Sequence, residues 1–535
     1  MLFNALPSYR YQTTPEYSES GQAALFATIL IPVVLLAGLL VFNTGQLTAT
    51  KLKTQNAADA AAFSAMQMEA RELNFISYTN RAMVANQVAI GQTISLVSWA
   101  HYIKNFGVNI QRLTTLISWI PGVGQIVAQL GQAIKNLATT LDQSVDTASK
   151  VILPVLDTAD AALSGAQEIY HLSNGVFDPG GGNTNPGGAM TAVAEQVVQL
   201  NDPQGRLNAI VLGTNLANYY RDRGGLIKRW GGDKENAQAR MAYVINASRD
   251  GFTENRSQLP SLLSPSFVRS QDLFAFGWEF RRAGGSEIAP DGNGDYVWSG
   301  MDTLSLHTWT RKPFRGKKWT ETALGWGASQ TGGDDSYLYP RNYSETRANV
   351  QDPYLAQERK VNLPAYQNSW GANPGASGQA ARDYPEEQDS VGKNASKTGG
   401  DANRFAAGGI TSYWDFNRKS TAFQKANGDP SDIMPFYVAV VEHDRQAVRD
   451  SVTALRISQA SGRVEMNSVL PQTAHGGQVR AIAKAQAYFR RPSSLWPRPD
   501  GNFERGNLFS PFWEARLVDL TPADRAAYSA LLGPQ

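Results

Sequence analysis

The chain has 535 residues, 42% of them hydrophobic and 18% charged, enough for a membrane segment plus one or two globular units. A formal net charge of +2 gives no field that would select nucleic acid; the balance of signs reads as a solvated surface. There is no cysteine, which excludes disulfides, thiolate metal sites and cysteine nucleophiles.

Residues 1–20 are polar and carry Arg10, Glu16 and Glu19. No charge follows until Lys51, and Ala23 to Phe42 is an apolar run whose helix spans roughly 30 Å, the thickness of a bilayer's hydrocarbon. The run is longer than a signal-peptide core and no Ala-x-Ala site follows it, so residues 21–43 read as an uncleaved transmembrane helix. Pro32 lies inside it, where neighbours can resatisfy the freed carbonyl. Beyond Asn43 the helix continues into residues 44–175, read as a helical hairpin stalk. Ala57, Ala58, Ala61, Ala65 and Met68 form a small-residue face suited to the close approach of another helix. The apolar pattern carries on through Phe75, Thr79, Met83, Ile90, Ile94 and Val97, with His101 as a packed histidine and Gly91 and Gly107 marking a bend or an end. Val123, Val127, Leu130, Ile134, Leu137, Leu141, Val145, Ala148, Ile152 and Val155 recur at spacings of four and three. That is a heptad seam, which Ala159, Ala162, Ala166 and Ile169 extend past a kink expected at Pro154. The simplest arrangement packs 123–172 against 46–105. Residues 113–134 are uncharged, but Gln125, Gln129 and Gln132 favour a packed helix over a second membrane segment.

Residues 176–189 are a Gly/Pro/Asn linker. Helices are expected at about 190–223 and from Asp233 to Gly251. From 264 to 345 the pattern turns to strands, at 272–280, 296–298, 304–309 and 318–326. Residues 346–410 read as a long irregular insertion. Residues 434–443 form a further strand, and 477–489 fit either helix or strand. A last helix has Thr521 as cap, Pro522 at its first position and Asp524 on its positive end. The fold class is therefore α+β: one N-terminal transmembrane helix, a helical hairpin stalk, and a mixed domain over 190–535.

Chemistry is sparse. His101, His171, His307, His443 and His475 show no metal-ligand spacing, and no nucleophile or phosphate-loop motif is present. Asp291, Asn293 and Asp295 place oxygens as a calcium loop begins, but the acid such a loop needs near its twelfth position could only be Asp302, with Thr303 beside it. Asp and Asn among glycines also make ordinary turns, which is the preferred reading. Trp298, Trp309, Trp319, Trp326, Trp370 and Trp414 could bind sugars or peptides, but such residues more often fill a core or an interface. No cofactor and no enzymatic reaction are expected.

Gly21-Gln-Ala-Ala-Leu-Phe-Ala27, then Pro32, Asn43-Thr-Gly-Gln46 and Gln55-Asn-Ala-Ala-Asp-Ala-Ala-Ala62 resemble the N-terminal segment of TadE/TadG-like proteins, minor pilins and assembly proteins of the Flp (tight adherence, Tad) type IVc pilus. Similarity extends to 246–252, 485–489 and 507–517, as in long members whose bodies lack a von Willebrand-type domain. The resemblance implies a cytoplasmic tail at 1–20, an inner-membrane anchor and a periplasmic body, against the weak opposite bias of Lys51 and Lys53 under the positive-inside rule. Pilins processed by a prepilin peptidase carry glutamate where this chain has Phe26, so an uncleaved component at the filament base fits better than a major subunit. Implied partners are the inner membrane, other pilus-machine components and a second copy through the N-terminal helices, with no nucleic acid. The alternatives are a membrane-tethered periplasmic glycan-binding module or enzyme, and an envelope scaffold unrelated to pili.

Overall fold

One helix carries the molecule. In the computed structural model, which describes residues 20–117, 124–175, 188–290, 296–312, 316–331, 347–351, 358–361, 372–380, 409–425, 433–444, 448, 478–492, 495–497 and 504–532, helix α1 runs from Ser20 to Ile117 without a break. At 1.5 Å per residue it is roughly 150 Å long. Neither Pro32 nor the two glycines expected to bend it ends it. Gly91 is small for a packing reason. A Cβ there would fall within 2.4 Å of the Trp298 ring, so the glycine is a socket for that indole.

Helix α2 (Gly124–Gly175) folds back along α1 and passes unbroken through Pro154. The antiparallel register is read from side-chain contacts. His171 meets Glu72 at 2.9 Å, Gln87 donates to Asp160 at 2.8 Å, and His101 lies 3.4 Å from Asp142. The α2 face that meets α1 is not the apolar heptad stripe. Its buried positions are Ala138, Asp142, Ser149, Leu153, Asp160, Ser164 and Gln167, a mostly small and polar seam at the same heptad spacing. The seam is held by hydrogen bonds, since Gln167 donates both to Thr79 at 2.6 Å and to Asn80 at 2.7 Å.

Two antiparallel four-stranded sheets lie against α1 one after the other. The first has the order β1 (Gly205–Leu207), β10 (Phe436–Asp444), β11 (Gln478–Phe489), β12 (Trp513–Leu517). It shares a core with α1 residues 57–76 and with α3 (Gly188–Asn201). The second has the order β3 (Ser270–Asp272), β4 (Phe276–Pro290), β5 (Tyr296–Lys312), β6 (Gly316–Gln330) and rests on α1 near residues 91–109. Strand pairs β2 (Ile227–Arg229) with β9 (Trp414–Phe416), and β7 (Arg347–Gln351) with β8 (Glu358–Val361), complete the strands described.

Exposed sheet edges carry unpaired backbone groups, and here helical side chains pair them. β6 is an edge strand that runs along α1. His101 donates to the carbonyl of Ala328 (3.0 Å), Asn105 to Trp326 (2.9 Å) and Asn109 to Leu324 (2.8 Å). Four helical residues rise about 6.0 Å and two strand residues about 6.6 Å, so a helix reading i, i+4, i+8 can stay in step with a strand reading j, j−2, j−4. Gly327 lets the strand lie this close, since a Cβ there would come within 2.2 Å of the Ser98 carbonyl. Elsewhere one carboxamide serves both backbone groups of a residue. Asn74 on α1 donates to the Trp513 carbonyl and accepts from its N–H, both at 2.9 Å. Asn246, on α5 (Lys234–Ala247), does the same to Ile288 on β4, and Asn215, on α4 (Ala209–Leu226), to Val438 on β10.

Several expectations need correction. The single helix over 190–223 is two helices, α3 and α4, split at Asp202-Pro203, where Pro203 cannot continue the helical ladder and β1 intervenes. Helix α5 is capped by Asp233 as expected, but it stops at Ala247 and Gly251 starts a separate turn of helix, with Asp250 as its N-cap. Residues 478–489 are strand, their alternating burial matching a period of two. Within 346–410, β7, β8 and a short helix at 374–380 are ordered elements, the last docked through Asn373 to His307 and through Gly375 to Glu321. The last helix, α6 (Pro522–Leu532), begins with the reciprocal Thr521–Asp524 cap.

Two predictions follow from these contacts. Asn74→Ala leaves both backbone groups of Trp513 without a partner, so it should cost about 2 kcal/mol in urea unfolding and speed hydrogen exchange of the Trp513 amide; an unchanged exchange rate would refute the assignment. The second concerns Asp160, whose carboxyl burial pushes up to about 6, against a partial opposing effect of the Gln87 and Asn86 donors. The folded state therefore holds this proton more tightly than the unfolded chain. Stability from this group is full below the ordinary carboxylate pKa and is lost as pH rises to about 6, by roughly 3 kcal/mol at most. Asp160→Asn should remove that loss, so its stability advantage over the parent should grow between about pH 4 and pH 7 in unfolding curves taken at each pH.

Candidate assembly interface

The first part of α1 stands clear of the body. From Ala23 to Phe42, with Pro32 between, all positions but one are exposed, including Phe26, Val33 and Val41. The most apolar 18-residue window of α1 has a mean hydropathy of 2.8 and none of it is buried. A helix apolar all round and bare in its own fold has the length and composition to cross a membrane. Burial begins at Asn43.

The small-residue face is occupied within the chain. Ala57, Ala58, Ala61 and Ala65 are fully buried, and Met68 packs at the margin of the same cluster. What meets them is mixed. Helix α3 supplies Met190, Ala194 and Val198, while β10 and β11 supply Ala439, Val441, Ala481, Ala483 and Ala485. Within the chain the face seats the helix α3 together with a sheet. Alanines line both sides, so the sheet approaches α1 closely, as small-residue faces permit between helices.

Where α1 enters the body, Asp202 gathers three side chains: Lys53 (3.3 Å), His443 (2.8 Å) and Thr54 (3.2 Å). Burial would raise the Asp202 carboxyl, but His443 and Lys53 outweigh it and hold it below its ordinary value. A second buried charge cluster ties α1 to β4 and β5. Asp302 accepts from Arg256 Nε at 3.0 Å, Arg282 Nη2 at 2.5 Å and Ser98 Oγ at 2.6 Å. Its burial opposes ionisation, and the two guanidinium groups overcome it, leaving its pKa lowered. The Arg282 guanidinium also lies 3.9 Å from the Tyr102 ring centre.

The other candidates resolve as follows. Asp291, Asn293 and Asp295 lie outside the described residues, but Asp302, the acid that would complete a calcium loop, is committed to the two arginines. The adjacent Thr303 donates to the Ala283 carbonyl. Among the described residues no group of three His, Asp or Glu is placed to hold a metal ion. His101, His171, His307 and His443 each have a protein partner, while His475 lies outside. Trp298 and Trp309 are buried, Trp326 and Trp414 partly so, Trp319 is exposed, and Trp370 lies outside the described residues. Among the five described, Trp309 and Trp319 are neighbours, with ring centres 6.3 Å apart. The functional residues that pattern reading missed are the asparagines, above all Asn74, Asn80, Asn105 and Asn109. Asparagine is a poor residue for a helix interior, and its recurrence through α1 was the available signal.

No curated protein and no solved structure matches the chain. One family model does, described as putative Flp pilus-assembly TadE/G-like, over residues 21–68. The match covers the bare segment and the alanine face together and stops where α1 starts to serve the body's edge strands. Residues 21–68 thus resemble the putative Flp pilus-assembly TadE/G-like family, and the likeness is confined to that stretch.

Proposed function

We propose that the chain is a single-pass structural component of a Flp/Tad-type pilus or a related secretion machine, a TadG-like minor pilin or pseudopilin-like protein, held in the bacterial inner membrane with its body in the periplasm. The observation that carries this is the coincidence of the Tad match at 21–68 with a helix whose first part is bare and apolar and whose remainder is built into the body. The protein acts by helix packing and protein–protein contact and carries no reaction of its own. Its pilus partners meet it inside the bilayer, along Ala23–Phe42, because the alanine face farther along is already filled. The positive-inside bias against a periplasmic body is weakened by the pairing of Lys53 with Asp202. That contact gives the lysine a structural reason to sit beyond the span.

A reporter active only in the periplasm, fused after Gln535, should be active, and the chain should co-purify with other components of the pilus machine. A body in the cytoplasm would sink the reading. Replacing Ala23–Phe42 with an unrelated Leu/Ala segment of equal length should keep the protein in the membrane fraction and lose most of the co-purified partners. Ala58→Leu with Ala61→Leu should act differently: each overpacks the α1–sheet core at a cost of about 1–3 kcal/mol, so folded protein falls while membrane insertion persists. Equal thermal stability of that double variant and the parent would show that the face is not packed as described.

A further inference from the structure

Much of the apolar heptad stripe of α2 is exposed among the described residues, although Val145 packs against the core cluster that contains α1. Leu137 is 73% exposed, Val155 63% and Ile169 65%, with Ile134 and Ile152 also exposed and Val151 (66%) beside them. At about 100° per residue these positions fall on one side of the helix, roughly a third of a turn from the seam that meets α1. Two features set the stripe apart from a solvated helix face. First, from Ala133 to Ile169 the exposed positions carry a single charge, Lys150, itself paired with Asp146 at 2.7 Å. Second, the spacing alternates four and three, with one extra step of four between Leu141 and Val145. That period keeps a seam facing a partner helix along its length.

We propose that this stripe pairs with the same stripe of a second copy, forming a parallel two-helix seam along α2. Three arguments favour a copy over a different helical protein. Heterotypic coiled coils select partners by opposite charges beside the seam, whereas the flanks here are Asn136, Thr140, Ser144, Thr147 and Thr158. Uncharged flanks suit a two-fold interface, in which every flanking group lies near its own copy and like charges would repel. The size is also sufficient. From Ile134 to Ile169 the stripe is about 52 Å long, and at a helix diameter of about 10 Å it covers roughly 500 Å² per copy, or about 1,000 Å² in all, where specific interfaces begin. Finally, copies anchored by α1 in one bilayer share an orientation, so a two-fold axis along the membrane normal sets α2 beside α2 in parallel, with Leu137 facing Leu137 and Val155 facing Val155. Only this last argument rests on the anchor proposed above.

The absence of cysteine allows a direct test on the full chain in detergent or nanodiscs. Single variants Leu137→Cys and Val155→Cys should each form covalent dimers under mild oxidation, at least about tenfold more than Gln143→Cys, which is exposed on another side of α2. Leu137→Asp with Val155→Asp should convert the parent's dimer to monomer by light scattering, with unchanged helicity and melting temperature, since both side chains are mostly exposed in one copy. A monomeric parent, a double-Asp variant that stays dimeric, or self-cross-linking no better than at Gln143 would each overturn the proposal. Cross-linking of a mixture only between Leu137→Cys and Ile169→Cys would mean antiparallel pairing and overturn it as well. Membrane fractionation of the same parent protein reads the anchor independently, so loss of one reading is not mistaken for loss of the other.

Discussion

Two open sheets laid against one helix must satisfy their edge strands, and the fold turns on that requirement. An unpaired edge invites another chain, and a buried unpaired carbonyl or N–H costs about 1–3 kcal/mol. Here β12 and β6 present edges to α1, which answers with Asn74, His101, Asn105 and Asn109. The remaining lengths of β10 and β4 are met by Asn215 and Asn246. A carboxamide offers one acceptor and a donor pair on a short stem, so it can stand in for a strand's peptide group. Because α1 provides this service over more than thirty residues, it is a rigid post to which both sheets are keyed. The stretch that matches the Tad family model thus runs into the body without a break in the helix.

The buried charges reinforce the same joints. Asp302 takes two arginines and Ser98 into a site with almost no solvent. Such a cluster is weak evidence for stability, since desolvation offsets most of the Coulomb gain. Its members come from α1, β4, β5 and the segment after the short helix at 251–254, so its geometry closes only when all four are in place. The Asp202 site joins α1, β10 and the turn after α3 in the same manner. We therefore read both as devices of register more than of energy: each fixes how far along α1 a sheet may sit.

Much of this was legible from residues alone, and what was not has a physical reason. The candidate membrane span was visible because twenty apolar residues have few other uses, and the strands after 272 because aromatic and polar residues alternate. The unbroken course of α1 was hidden because glycine weakens a helix only modestly, by about 1 kcal/mol, which the socket for Trp298 outweighs. The split at Asp202-Pro203 was hidden by a continuous apolar pattern on both sides of a two-residue signal. The alanine face was read as helix-on-helix because spacing shows that a face is small, not what fills it; α3 and β11 lie more than a hundred residues away in the chain. The edge-pairing asparagines could not be placed without knowing which strands end a sheet.

The heptad pattern located the helix and its antiparallel packing on α1, but not the face of α2 that does the packing. Helix 123–172 was expected against 46–105 and packs there, yet the face it buries includes Asp142, Ser149, Asp160 and Gln167. A hairpin could have used its apolar stripe internally and gained about 25 cal/mol for each square ångström buried. It combines hydrogen bonds with apolar contacts from Val145, Leu153, Leu156 and Leu163 and leaves Leu137, Val151, Val155 and Ile169 outside. That choice is costly for an isolated molecule and sensible for a member of an assembly. Polar seams specify one register by the need to satisfy every donor, so they suit the contact that must form within the chain. Apolar seams are permissive and additive, so they suit a contact between copies already aligned by a shared membrane. On this view the two faces of α2 divide the labour: one fixes the fold, the other is kept for company.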